Sequence, residues 1–150
     1  MRGKASREVA YATVALNTWL ELPDNIASAE RSKTVARLFL ILESGWVTGF
    51  EYLLDCAIKY AAHNSLSDEQ WKTLKDAVEE VYKVTDYGTQ DISPEKAITV
   101  SSARRACVKA AKVLHEKWPK DSTFPDIVDK AKTDPLPEVR FAANEEWSGD

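Results

Sequence analysis

Near its C-terminus the chain contains the stretch Asp134-Pro135-Leu136-Pro137-Glu138-Val139-Arg140-Phe141-Ala142-Ala143. Aspartate is typical of the residue that caps a helix, because its side chain accepts a hydrogen bond from a free backbone N–H. Proline suits the first helical position, where that N–H has no partner in any case. The stretch therefore predicts a turn between two helices, with Asp134 as the N-cap and Pro135 at the first helical position.

The same residues resemble the turn and second helix of a HEAT repeat, a family of stacked helix pairs whose members mostly bind other proteins. The resemblance covers the chain from Phe124 to Asp150 and occurs once. It implies a turn role for Asp134 and Pro135, and a place for Asp134 and Arg140 in a hydrogen-bonded ladder between repeats. The alternative is a well-capped helix without a repeat neighbour, in which Arg140 pairs with a local carboxylate.

Apolar residues recur at helical spacing along the chain, and no useful length of it alternates as a β-strand does. Helices are predicted over about residues 6–21, 29–62, 67–85, 93–118, 123–132 and 134–147. One helix over 29–62 would be about 50 Å long, so we favour a break near Ser44-Gly45. The alternative is a continuous helix with a close crossing at Gly45 and Gly49. The predicted fold is an all-α compact bundle of six or seven helices, forming a single domain over residues 1–150.

The composition is that of a folded protein. The 150 residues are 44% hydrophobic, which is enough to bury a core, and no apolar run reaches the ~20 residues that span a bilayer. Basic residues precede an apolar run near the N-terminus, but no small-residue cleavage site follows, so we reject a signal peptide. Cys56 and Cys107 could form one disulfide, but they fall on apolar helix faces and are predicted to be buried reduced thiols, which favours a cytoplasmic location.

Charge is segregated along the chain, although the net charge is only −4. From Lys96 to Lys120 the charged residues are basic except for Glu116, whereas the flanking segments are mainly acidic. Arg104 borders the apolar stripe of its helix, so we expect it to pair with a carboxylate at the edge of the core. Three other cations are predicted to face outward, namely Arg105, Lys109 and Lys112.

These outward cations form one candidate partner-binding set, suited to an acidic partner. A second set, suited to a basic partner, lies on the preceding helix and consists of Asp76, Glu79 and Glu80. The alternative is that the basic helix packs between acidic helices and is neutralised within the fold. Nucleic acid is a disfavoured partner, because the surrounding acidic surface would repel a duplex.

No pair of residues has the spacing of a catalytic or metal site. Cys56 and His63, like Cys107 and His115, would lie about 10–12 Å apart on a helix, too far for a thiol–imidazole hydrogen bond. Metal sites on helices need ligands at closer spacing, and the carboxylate pairs have no Glu-x-x-His beside them. We therefore predict no catalytic residue, no metal and no cofactor.

Four tryptophans lie on or beside the apolar stripes and are predicted at the core or its edge, namely Trp19, Trp46, Trp71 and Trp118. Trp147, close to the terminus, is either an exposed interface anchor or a residue that packs on a following repeat.

Together these features predict a non-catalytic helical protein-binding module, acidic overall, of the inhibitor, immunity-protein or antitoxin type. The first alternative is an adaptor or terminal piece of a larger HEAT-like scaffold. Met1 and the polar Ser-Gly-Asp ending favour a complete small protein over such a piece. The lesser alternative is an enzyme whose site is dispersed over several helices.

Overall fold

A computed structural model describes residues 28–45, 47–88 and 90–145. These residues form six helices and no strand, which confirms the all-α prediction. The helices are α1 (Ser28–Glu43), α2 (Phe50–His63), α3 (Asp68–Val84), α4 (Pro94–Lys117), α5 (Thr123–Ala131) and α6 (Pro137–Asn144). The predicted helix over 6–21, together with Trp19, Trp46 and Trp147, lies outside the described residues. The chain divides into two compact units between Ala77 and Val78, inside α3. The prediction of a single domain remains a prediction.

In the first unit, α1 packs against α2, and two glycines lie in the turn that separates the two helices. Gly45 and Gly49 have φ angles of 72° and 74°, a left-handed conformation that is costly for any residue with a Cβ atom. The favoured break near Ser44-Gly45 is thus confirmed, and the continuous helix is wrong. The predicted apolar stripe supplies the core of this pair through the buried residues Val35, Leu38, Phe39, Leu42, Phe50, Leu53 and Ala57.

Residues at the ends of α2 and α3 satisfy backbone groups that the helices leave open. Asn64 follows α2, and its side-chain amide donates to the Tyr60 carbonyl at 3.1 Å. Ser67 and Gln70 form a capping box before α3. The Gln70 amide donates to Ser67 Oγ at 3.1 Å, and the Ser67 amide donates to Gln70 Oε1 at 3.0 Å.

In the second unit, α4 is the central helix and packs against both α5 and α6. It begins close to the predicted residue 93, with Pro94 in the first turn and Ser93 Oγ accepting the Lys96 backbone amide at 3.2 Å. Its buried face contains several small side chains, which let neighbouring helices approach closely. The buried apolar residues of this face are Val100, Ala103, Cys107, Val108, Ala110, Ala111 and Leu114.

The last helix begins later than predicted. Leu136 is the N-cap residue of α6 and Pro137 stands in its first turn, so assigning Asp134 as N-cap and Pro135 as first helical residue was wrong. Pro135 and Pro137 both suit the first helical position, and the structure begins the helix at the second of them, after Leu136 in extended conformation at φ −90° and ψ 120°. Asp134 and Pro135 belong instead to the turn between α5 and α6.

Candidate functional site

Asp134 organises the turn before α6 with both oxygens of its carboxylate. Oδ1 accepts the Leu136 amide at 2.9 Å, which closes the turn locally. Oδ2 accepts Arg104 Nε, also at 2.9 Å, from the middle of α4. The two side chains are only 4% and 6% exposed, so the ion pair is buried. The prediction that Arg104 pairs with a carboxylate at the edge of the core is confirmed.

Arg104 also holds the C-terminal end of α3. Its Nη1 donates to the Tyr82 carbonyl at 2.7 Å and to Thr85 Oγ1 at 3.4 Å. The guanidinium carbon lies 4.0 Å from the centre of the Tyr82 ring, in cation–π contact. The buried Arg104 side chain therefore connects three segments of the second unit, namely the end of α3, the middle of α4 and the turn before α6.

Arg140 stabilises the same turn from within α6. Its Nη1 donates to the carbonyl oxygens of Asp134 and Pro135, at 2.6 Å and 3.0 Å. These are backbone contacts inside one helical hairpin, whereas the resemblance implied a ladder between repeats and the alternative was a local carboxylate. The three predicted turn residues, Asp134, Pro135 and Arg140, are thus brought together by the structure.

An open pocket of about 80 Å³ is lined by the Arg104–Asp134 pair and, among other residues, by Thr85, Ile92 and Leu136. It is smaller than the roughly 150 Å³ cavity that accommodates benzene. Because its two charged groups neutralise each other, it also offers little attraction to an ionic ligand. The pocket is a by-product of the turn packing and is a poor candidate for a substrate site.

The three cations predicted to face outward do not share one environment. Lys109 is exposed, whereas Arg105 and Lys112 are half-buried. Lys112 Nζ donates to the carbonyl oxygens of Ala142 and Glu145, at 2.7 Å and 3.2 Å. Lys112 therefore caps the C-terminus of α6, where a cation is favourable. Its prediction as an outward-facing residue was wrong, because the helical projection contained no information on where α6 packs.

The cations around Lys112 are close enough to affect its titration. Burial lowers the pKa of the Lys112 ammonium, and the positive charges of Lys109 and Lys132 lower it further, against the opposite effect of Glu145. Lys132, at the end of α5, is paired with Asp129 at 3.0 Å. Lys109, Lys112 and Lys132, which we call the basic cluster, thus gather like charges at one side of the second unit.

The outer surface of α4 and α6 also exposes apolar side chains. Ile98 is 69% exposed and Phe141 is 70% exposed. Neither exposure was predicted, although for Phe141 the sequence contains a signal. Phe141 lies opposite Val139, Ala142 and Ala143 on a helical projection, and all three are buried.

The acidic candidates for partner binding lie in the second half of α3. Asp76 and Glu80 are exposed and Glu79 is half-buried. Asp76 is already paired with Lys72 one turn earlier in the same helix. That pairing partly neutralises the acidic set.

The two thiols are buried and free, as predicted. Burial raises the pKa of Cys56 to about 12 and raises that of Cys107 further still, so neither forms a thiolate readily. Among the described residues no group of histidine, cysteine, aspartate or glutamate side chains could hold a metal ion. Trp71 and Trp118 are half-buried, in keeping with their predicted place at the edge of the core.

No protein-family profile, curated protein or solved structure matches the chain. None of the helices over the described ranges is long and apolar enough to cross a membrane.

Proposed function

We propose that the protein is a non-catalytic helical module that binds a partner protein through the basic side of α4. The observation that supports this most is the basic cluster, in which the exposed Lys109 and Lys132 accompany the half-buried Lys112. Asp129 offsets the charge of Lys132, and Glu145 opposes the effect of the two other lysines on Lys112, so the exposed Lys109 carries the most accessible positive charge of the basic cluster. A partner with an acidic surface would complement that charge on binding.

The basic side is a better candidate than the acidic side of α3. Asp76 already has a cation within its own helix, whereas Lys109 projects into solvent from α4. An exposed cation raises the rate of association with an acidic partner, and this effect weakens with added salt. Such binding suits an inhibitor, immunity-protein or antitoxin role, in which occupying the partner's surface is the whole activity. An adaptor within a larger helical scaffold would use the same side.

Affinity purification with the tagged full-length protein tests this proposal. Lys109→Glu should abolish recovery of the partner, since it places a negative charge in the basic cluster. Lys112 is unsuitable for this experiment because it caps α6. Glu80→Lys on α3 is the matched control and should leave recovery unchanged. Recovery of the same partner by the Lys109→Glu variant would contradict the proposal, as would turnover of a small molecule without any stable macromolecular partner.

A further inference from the structure

Helices α4 and α6 lie side by side in the same direction, and two contacts establish this. Ser101 Oγ is hydrogen-bonded to Glu138 Oε2 at 3.1 Å near the start of α6. Lys112 Nζ reaches the Ala142 carbonyl near its end, at 2.7 Å. The later residue of α4 thus contacts the later residue of α6. Each helix exposes side chains on its outer side, among them Lys109 on α4 and Phe141 on α6.

Apolar and basic side chains lie on the outer sides of these two helices, where Ile98, Lys109 and Phe141 are exposed and Arg105 is half-buried. Ile98 lies about one helical turn before Ser101 on α4, and Phe141 lies about one turn after Glu138 on α6, so the two residues flank the Ser101–Glu138 contact on opposite sides along the helix axes. Arg105 lies seven residues after Ile98, and Lys109 lies four residues after Arg105. This helical spacing keeps the three residues on one side of α4. We call these four residues, Ile98, Arg105, Lys109 and Phe141, the α4–α6 seam.

We propose that the α4–α6 seam binds an acidic amphipathic helix of the partner, an inference that rests on the proposed function. Apolar residues of the incoming helix would cover Phe141 and Ile98, and its carboxylates would approach Lys109 and Arg105. From Ile98 to Lys109 the seam is about 17 Å long at 1.5 Å per residue, the length of about three helical turns. Both chemistries are needed, because exposed apolar side chains supply contact area and the cations select the sign of the partner's charge.

An anionic membrane is a weaker candidate for the same surface. Glu138 and Glu145 border the seam on α6, and the chain has a net charge of −4. A lipid surface with uniform negative charge would be repelled by these carboxylates. An acidic partner helix, by contrast, can carry its carboxylates at positions that avoid Glu138 and Glu145.

A displayed library of helix-forming peptides of about 15 residues, unbiased in charge, tests the occupant when selected on the full-length protein. The selected peptides should carry net negative charge and apolar residues at helical spacing. Phe141→Ser and Lys109→Glu should each weaken the selected peptides by about tenfold or more. Exchanging one glutamate of a selected peptide for lysine should restore its binding to the Lys109→Glu variant.

Two variants outside the seam serve as matched controls. Leu40→Ser removes a side chain that is 64% exposed in the first unit, and Lys83→Glu reverses an exposed cation on α3. Neither should change peptide binding. Because Phe141 and Ile98 are so exposed, their substitution should leave the thermal unfolding midpoint unchanged, which separates lost binding from lost folding.

Selected peptides without negative charge, or whose binding is unaffected by Phe141→Ser, would overturn the inference, as would a selection that enriches nothing. Sedimentation with phosphatidylserine vesicles that depends on Phe141 would overturn it in favour of a membrane. The natural partner separates the two proposals. If Lys109→Glu abolishes recovery of the natural partner and Phe141→Ser leaves it intact, the proposed binding at the α4–α6 seam is wrong, while the proposal that the partner binds the basic side of α4 stands. If neither variant has an effect, both proposals fail.

Discussion

At the scale of single residues, the Arg104–Asp134 pair has the largest predicted effect on stability. The pair is almost fully buried, so removing one partner leaves the other as an uncompensated charge away from water. Buried pairs broken in this way typically cost about 3–5 kcal/mol, whereas exposed pairs contribute about 1 kcal/mol or less. The location of a pair therefore determines its energetic importance.

We expect Asp134→Asn to lower the free energy of unfolding by about 3–5 kcal/mol, measured by urea denaturation. Asparagine retains an oxygen for the Leu136 amide, so the loss reports chiefly on the charge. Arg104→Met should have a comparable effect, and the double variant should lose clearly less than the sum of the two. Lys72→Met, in an exposed pair, is the control and should change stability by less than about 1 kcal/mol. Additive losses would show that the two charges act independently.

At the scale of elements, α6 depends on a cap from another helix. It has eight residues, which is too short to be stable by itself in water. Val139, Ala142 and Ala143 bury one face, and the Lys112 ammonium satisfies carbonyls at its C-terminal end. The end of α6 thus relies on a side chain about 30 positions earlier in the sequence.

Lys112→Met should loosen the last turn of α6, because methionine replaces much of the aliphatic stem but removes the charged donor. Hydrogen bonds to a charged group contribute about 1.5–3 kcal/mol, and we expect a loss in this range. Amide hydrogen exchange should accelerate at residues 142–145 and stay unchanged in α5. Lys109→Met is the control, since Lys109 is exposed. Unchanged exchange in Lys112→Met would mean that helix packing alone holds this end.

At the scale of the whole molecule, each unit contains one buried thiol, and these thiols make the free energy of unfolding depend on pH in the alkaline range. The ordinary thiol pKa is near 9.0, and burial raises that of Cys56 to about 12. A raised pKa means that the folded state holds the proton more tightly than the unfolded chain. The stabilisation is therefore present below pH 9 and is lost as the pH rises toward the folded pKa, by at most about 1.4 kcal/mol per pH unit for each thiol.

We expect the free energy of unfolding of the wild type to fall more steeply above about pH 9 than that of a Cys56→Ala or Cys107→Ala variant. The difference between wild type and variant isolates the thiol, because the small cavity left by alanine does not titrate. Neither thiol should react with a disulfide reagent near neutral pH until the protein unfolds. Rapid reaction of the native protein would show that a thiol is accessible.

Most of the fold could be predicted because its signals are local. The capping box of Ser67 and Gln70, the Ser93-Pro94 start of α4 and the break at Gly45 each depend on neighbouring residues alone. The start of α6 was misplaced by two residues because Pro135 and Pro137 both satisfy the same local rule. That rule does not distinguish the two prolines, so the local sequence leaves the first residue of the helix open between them.

The candidate site was less predictable because it depends on which helices are neighbours. Periodicity placed Arg104 at the edge of the core but could not identify its partner 30 positions away. Lys112 looked solvent-exposed on α4 alone, and the position of α6 makes it a cap. Phe141 was overlooked for the opposite reason, since a large apolar residue in a helix is expected to be buried.

Arg104 also bears on the order in which the second unit forms. Its partners lie 22 positions before it and 30 positions after it, so each contact closes a long loop and must follow the formation of the local helices. Contacts made late contribute little to the rate of folding and mainly slow the reverse reaction. The buried pair would therefore set the lifetime of the folded second unit more than the speed at which it is reached.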